Sequence, residues 1–231
     1  MIEFEKSLKL NIDRRVFTFG GVSALGLTLA GCSSSAQSVL DGVADMASGQ
    51  VAALSYGPLP NEQFPLAAAD LSRVPAKYLR RRVSYQTREP VGSIIVDTKN
   101  FYAYLVEPDG KAMRYGVGLG RAGFAWSGRA NIAWKRKWPT WTPPPAMIAR
   151  QPELEKYSAA NGGMKPGLNN PLGARALYIF QNGRDTLYRL HGTTENWSIG
   201  KAVSSGCVRF INHDIIDLYK RVRSNAKIVV I

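Results

Sequence analysis

From residue 91 onward the chain alternates short apolar runs with turn residues, a pattern that predicts strands rather than helices. Residues 93–97 and 101–106 carry apolar and aromatic side chains and flank Thr98-Lys99-Asn100, which reads as a hairpin. Pro108-Asp109-Gly110 supplies a second turn and leads to a strand over 113–118. Further strands are expected at 176–180, 186–190 and 228–231, with an apolar-basic strand start after Cys207. Residues 134–145, rich in tryptophan, basic residues and proline, break the pattern and predict a long irregular insertion, followed by a helix over 146–157. A final helix is expected over 214–223, with Asp214 in its first turn and a basic end. Many short strands with few helices imply a mainly β domain, either a sandwich or a partly closed barrel.

The pattern before residue 91 is different. Residues 16–31 form a small-and-apolar stretch behind Asp13-Arg14-Arg15-Val16-Phe17, too short and too glycine-rich to span a bilayer, and they predict an export signal over 1–31. The paired arginines followed by Phe17 resemble a twin-arginine signal. The stretch ends in Leu29-Ala30-Gly31-Cys32, which resembles a lipobox whose Cys32 thiol is acylated; the alternative is an ordinary signal with Cys32 discarded. Ser33 in the next position resembles lipoproteins sorted to an outer membrane. Residues 32–69, rich in Ser, Ala and Gly and then Pro and Asn, predict a flexible tether with at most a short helix at 38–46. Residues 70–90 read as an amphipathic lead-in, Leu71, Val74, Tyr78 and Leu79 being interleaved with Arg73, Lys77, Arg80, Arg81 and Arg82. That leaves 91–231 as the folded domain.

Charge changes the list of partners. The 231-residue chain carries 30 basic and 17 acidic residues, a formal net charge of +13. Four basic and three acidic residues lie in 1–31, so the body keeps +12 without them. Such a balance raises nucleic acid, membrane surface or an acidic polymer. An export signal argues against nucleic acid and leaves the other two.

Candidate chemistry centres on Ser204-Ser205-Gly206-Cys207-Val208-Arg209. The chain has two cysteines; once Cys32 is acylated or removed, no second cysteine remains to join Cys207 in a disulfide. Exported proteins normally use cysteines in pairs, and a thiol kept outside a disulfide is open to oxidation, so chemistry is the simplest reason to retain it. Gly206 allows backbone amides to approach a substrate as an oxyanion hole. His191, one of two histidines, lies sixteen positions upstream in His191-Gly192-Thr193 and offers a proton acceptor; a satisfied structural histidine is the competing reading. Arg209 supplies a positive environment for a thiolate. His213 reads as a surface residue near a helix start. One Cys and two His without ligand spacing are too few for a metal site, and no cofactor is expected.

Together, His191-Gly192-Thr193 and Ser204-Ser205-Gly206-Cys207-Val208-Arg209, with Asn212 and Asp214 after them, resemble the catalytic motif of bacterial L,D-transpeptidases of the YkuD type. Asn170-Pro171-Leu172-Gly173 resembles the same family. The resemblance implies an enzyme acting on peptidoglycan stem peptides, in which Cys207 attacks the third residue of a donor tetrapeptide, terminal D-Ala departs, and an amine takes the acyl group. It implies His191 as proton acceptor and donor, the Gly206–Cys207 amides as part of the oxyanion hole, and Arg209, Asn212, Gly192 and Ser204 as substrate-binding residues. The acceptor amine belongs either to another stem peptide or to an outer-membrane protein, and the inferred lipid anchor places the enzyme in a periplasm. Many members have histidine where this chain has Ser205, so no role for a second histidine transfers. The alternatives are a thiol L,D-carboxypeptidase and a non-catalytic wall-binding protein, and the tryptophans of 134–145 read either as a lid or groove wall or as loop packing.

Overall fold

The structure, a computed structural model, describes residues 55–120, 127–204 and 206–231, without the side chain of Ser204. The export signal, Cys32, the helix expected at 38–46 and Ser205 lie outside the described residues.

Three hydrogen-bonded strands, β2 (Ile94–Asp97), β3 (Tyr102–Glu107) and β4 (Lys111–Gly116), form an antiparallel meander. Its second turn uses Asp109 and Gly110 at φ of 60° and 63°, the left-handed region that Asp tolerates and Gly prefers. β1 (Arg81–Ser84) adds to the free side of β4. β6 (Gly128–Lys137), β7 (Arg175–Gln181) and β8 (Arg184–Thr193) form a second antiparallel run. Asn182-Gly183 joins β7 to β8 with both residues at positive φ, 50° and 74°, as a two-residue hairpin requires. β11 (Ala226–Val230) bridges the two runs, parallel to β2 and antiparallel to β6. β10 (Val208–Ile211) closes the order by pairing parallel to β8. The nine-stranded order is thus β1-β4-β3-β2-β11-β6-β7-β8-β10, with β5 (Leu119–Gly120) and β9 (Ala202–Ser204) as a small separate pair.

The protein is mainly β, as its sequence predicts. The sheet is hydrogen-bonded as an open one, with β1 and β10 at its edges, yet its two halves share a core. Tyr115 of β4 and Phe210 of β10, from nearly opposite ends of the order, are both fully buried with ring centroids 6.0 Å apart. The twist natural to strands curls the sheet so far that Gly118, two residues beyond β4, exchanges backbone hydrogen bonds with Arg209 of β10 (2.9 and 2.8 Å), a single bridge beside the shared side-chain core. Helix α2 (Asn212–Arg221) follows β10 directly and adds Ile215 and Leu218 to that core, with Val222 just beyond its end. Lys135 Nζ donates to the carbonyls of Tyr219 (2.9 Å) and Val222 (2.5 Å), capping the helix end where partial negative charge collects.

Several expectations change. Residues 134–137 belong to β6 rather than to an irregular insertion, because they pair with β7 from Arg175 to Tyr178. The helix expected over 146–157 divides into α1 (Pro145–Arg150) and a 3-10 segment Pro152–Tyr157, Pro152 removing the donor that would continue the helix. Residues 81–84 of the lead-in are a strand of the main sheet. Residues 55–69, assigned to the tether on composition, pack on the domain: Tyr56 is 3% exposed, and Glu62 pairs with Arg175 at 2.6 Å and accepts a hydrogen bond from Trp138 Nε1. Polar composition misleads here because a few anchors (Tyr56, Phe64, Leu66) are enough to dock a proline-braced segment.

His213, expected at the surface, is buried, with Nε2 2.8 Å from the Gly57 carbonyl. The docked segment covers this side of α2 and turns an exposed helix start into an interior one. Asp214 beside it is completely buried; Tyr56 Oη donates to Oδ2 at 3.1 Å, and Arg80 Nη1 is 3.5 Å from both Asp214 and Asp217. Burial outweighs the Arg80 charge and pushes the Asp214 carboxyl up to about 7. A carboxyl whose folded pKa lies above its unfolded value stabilises fully below about 3.8 and loses that contribution as pH rises through about 7. Asp214→Asn should therefore gain on the wild type as pH rises, the difference between their melting temperatures growing in the variant's favour from about pH 4.5 to about pH 8. A difference that stays constant in thermal melts over that range would remove Asp214 from the pH dependence.

Candidate functional site

The chemistry-bearing residues meet because β10 lies parallel to β8. Parallel neighbours need a crossover of a dozen or more residues, and the sixteen positions from His191 to Cys207 hold one: a 3-10 turn at Asn196–Ser198, β9 and the Gly206 turn. The register sets Val208 against Leu190, Arg209 against His191, and Ile211 against Thr193. Cys207, one residue before β10, lies at the level of Arg189, whose backbone N–H reaches the thiol. Side chains alternate along strands, so Leu190, Val208 and Phe210 enter the core while Arg189, His191, Cys207 and Arg209 share the opposite face.

Local backbone features shape the turn. Gly206 has φ of 140°, a conformation L side chains rarely adopt, although a Cβ there would meet only the Tyr188 ring at 3.5 Å. Glycine is therefore required by conformation and not by space. Across from it, Leu187 has φ of 61° and its carbonyl faces Cys207 Sγ at 3.9 Å. Asp185 Oδ1 accepts from the Leu187 N–H at 2.8 Å and holds this kink.

His191 is 5% exposed, and its Nδ1 lies 2.7 Å from the Gly192 carbonyl. A carbonyl only accepts, so Nδ1 carries the proton and Nε2 keeps a lone pair. Burial, with Arg209 and Arg189 nearby, pushes the imidazole down to about 4 despite that hydrogen bond. Burial also pushes the Cys207 thiol up; the Arg189 N–H and the guanidiniums of Arg189 and Arg209 oppose it, and Asp185 adds to it. At neutral pH the resting site thus holds a neutral imidazole and a protonated thiol. Such a pair activates by passing the thiol proton to Nε2 as the nucleophile attacks.

Asn212 and Gly192 are placed elsewhere than the substrate face that the resemblance implies. Asn212 is 6% exposed and its Oδ1 accepts from the Ala174 N–H at 2.9 Å. A Cβ at Gly192 or Gly173 would collide with that oxygen. The two glycines open a channel through which the Asn212 side chain crosses from α2 to the start of β7, so Asn212 and Gly192 form the scaffold behind His191. Ser204 ends β9, its backbone in register with Gly120. Arg209 lines the open side, its Nη1 2.6 Å from an exposed Glu195 Oε2.

The wall beyond Cys207 contains residues that sequence reasoning missed. Arg189 stacks over the Tyr178 ring at 4.3 Å and pairs with Asp185 at 2.7 Å. Tyr178 stacks in parallel on Trp134 at 3.9 Å, and Arg136 covers Trp134 at 5.0 Å. Arg189 was accessible from strand alternation, being two residues before His191; Tyr178 and Trp134 needed the β6–β7 register. Of the tryptophans in 134–145, Trp134 is therefore wall, while Trp138 is buried against Phe64.

Comparison with known proteins bears on this arrangement. Residues 92–231, more than half of the chain, match the family model of the L,D-transpeptidase catalytic domain, YkuD. The probable L,D-transpeptidase ErfK/SrfK of Escherichia coli K12 is 32% identical over 143 residues, covering 60% of this chain and 43% of that protein. The probable L,D-transpeptidase YbiS of the same organism is 39% identical over 114 residues, covering 46% of this chain and 33% of that protein. The chain spans less than half the length of these relatives. Among solved structures, a Brucella melitensis protein described as a probable carnitine operon oxidoreductase is 40% identical with a TM-score of 0.48, covering 70% of this chain and 99% of that one. An L,D-transpeptidase from Mycobacterium smegmatis is 15% identical with a TM-score of 0.41, covering 60% and 57%.

The glycine channel makes a coupled prediction. Gly192→Ala should destabilise by about 1–3 kcal/mol through the collision with Asn212 Oδ1. The same change in an Asn212→Ala background should destabilise less, because the obstructing oxygen is gone. Denaturant unfolding of the four proteins measures the coupling, and additivity would contradict the crossing.

Proposed function

The chain belongs to the YkuD family of L,D-transpeptidase catalytic domains, and on that premise we propose that it is an exported acyltransferase acting on peptidoglycan stem peptides through a thioester on Cys207. One observation carries the reading: the parallel β8–β10 register puts Cys207 and Arg209 on one face with a buried, neutral His191. In the first half-reaction His191 Nε2 takes the thiol proton as Sγ adds to the carbonyl of the third residue of a donor tetrapeptide. The Gly206–Cys207 amides receive the resulting oxyanion. The tetrahedral adduct collapses, the amide C–N bond breaks, and the imidazolium returns its proton to the departing amine of D-Ala. In the second half-reaction an acceptor amine adds to the thioester and gives its proton to Nε2. The C–S bond breaks, and the thiolate recovers that proton.

Arg209 is the substrate-facing cation of this scheme. Its bond to an exposed Glu195 can be exchanged for one to a stem-peptide carboxylate. The acceptor amine is that of a second stem peptide, giving 3–3 cross-links, or that of an outer-membrane protein. Residues 1–31 direct export, and acylation of Cys32 holds the enzyme to a membrane facing the wall. The positive charge of the body suits an anionic wall polymer.

Incubation with a tetrapeptide-bearing muropeptide tests the reading. The wild type should release D-Ala, carry a transient mass adduct on Cys207 and form cross-linked dimer. Cys207→Ala should lose all three, and His191→Ala should slow acylation by roughly 10²–10⁴. Tripeptide without dimer would replace transpeptidation with L,D-carboxypeptidation; full activity of Cys207→Ala would reject the covalent route. The pH profile provides a second check. A base held at about 4 stays deprotonated well below the ordinary histidine range, so the acid limb of acylation should fall near pH 4 rather than near 6.5.

A further inference from the structure

Two guanidiniums flank Cys207, and they are held very differently. Among the described residues the Arg209 side chain makes one bond, to Glu195, whose side chain is 49% exposed. Arg189 is 14% exposed in its side chain and is fixed from three directions. Nη1 donates to Asp185 Oδ1 (2.7 Å) and to the Tyr188 carbonyl (2.9 Å), and Nη2 donates to Asp185 Oδ2 (2.7 Å). Its plane lies over Tyr178, which is itself stacked on Trp134. A fork used in this way has few donors left for a ligand. What it offers the site is a charge that does not move. The same Asp185 sets the Leu187 kink whose carbonyl faces the thiol, so one carboxylate places both the cation and the acceptor beside Cys207.

We propose that Arg189, together with Asp185, is a positioning residue of the site: it keeps a fixed positive charge against the Cys207 sulfur while Arg209 remains available to the substrate. The division suits two-step acyl transfer. Negative charge on sulfur develops as its proton leaves ahead of attack and again when the thioester C–S bond breaks, so the sulfur needs a cation that a substrate carboxylate cannot draw away. A preorganised charge in a site sheltered from water supplies this without rearrangement. Among the described residues, the charged groups acting on the sulfur are Arg189 and Asp185 from β8 and Arg209 from β10, with Glu195 behind Arg209; His191 shares their face by register, and the Tyr188 ring lies beside Gly206.

The inference rests on Cys207 being the nucleophile, but its test reads the thiol directly and needs no peptidoglycan substrate. The rate of Cys207 alkylation by iodoacetamide is followed against pH in the full chain carrying Cys32→Ser, with thermal melts to show that each variant is folded. Arg189→Gln should move the midpoint up by about one pH unit, and Arg189→Lys should restore part of the shift. Asp185→Asn should move it down, because it removes the opposing charge while the Asn Oδ1, the Tyr188 carbonyl and the Tyr178 ring still hold the guanidinium. Opposite signs from the two halves of one ion pair are not what general loosening of the wall produces. An unmoved midpoint in Arg189→Gln, or an upward shift in Asp185→Asn, overturns the assignment. Loss of dimer formation in Cys207→Ala concerns the reaction and leaves these midpoints unaffected.

Discussion

The site depends on one pairing, that of β10 parallel to β8. A parallel neighbour cannot be reached by a tight turn, so the chain must leave the sheet, cross and return. That detour contains β9, which pairs with β5, and the Gly206 turn, and its return places Cys207 at the level of Arg189. α2 then begins at Asn212, immediately after β10 ends at Ile211, and its first side chain crosses back to Ala174. Gly173 and Gly192 are open on either side of that crossing. The interval between His191 and Cys207 is thus a geometric requirement of the crossover, and the glycine after His191 is a requirement of the helix start.

The same pairing decides the electrostatics. Against β7 and β10, His191 is enclosed between Ala176 and Arg209, and enclosure disfavours its charged form. The thiol experiences the same effect in the opposite direction along the pKa scale, so neither partner is ionised at rest. A thiolate–imidazolium pair would be more reactive, but also more open to oxidation. A neutral pair generates its nucleophile only when a carbonyl is present to receive it. In the proposed mechanism the cations around it act mainly on the charge that develops as the thiol proton leaves.

Much of this was legible in the sequence, and the exceptions have physical causes. The strands of the meander and the helix after Cys207 followed from local periodicity, and Cys207, His191 and Arg209 from residue type and motif. The β7 and β8 boundaries were short because Asn182-Gly183, a strong two-residue hairpin signal, marks ends that hydrophobicity alone does not. β6 was hidden by its own composition: Trp134, Lys135 and Arg136 alternate between wall, helix cap and wall, which in one dimension resembles an irregular basic loop. Asn212 could not be separated from a substrate-binding residue by motif, since only the tertiary crossing shows where its oxygen is used.

The segment before residue 91 extends the argument from site to domain. Tyr56 and Arg80 reach Asp214, Gly57 reaches His213, and Glu62 reaches Arg175 at the start of β7. Each of these contacts falls within two residues of Asn212 or Ala174, the two ends of the crossing behind His191. A partly buried carboxylate such as Glu62 is held low chiefly by its Arg175 hydrogen bond, against its own burial, so the contact is strong only while the segment stays docked. Removing 55–80 would expose Asp214, leave Arg175 without Glu62 and uncover the first turn of α2. Although the family match begins at residue 92, the physical unit that fixes the His191 strand and the Asn212 crossing includes Tyr56, Gly57 and Glu62.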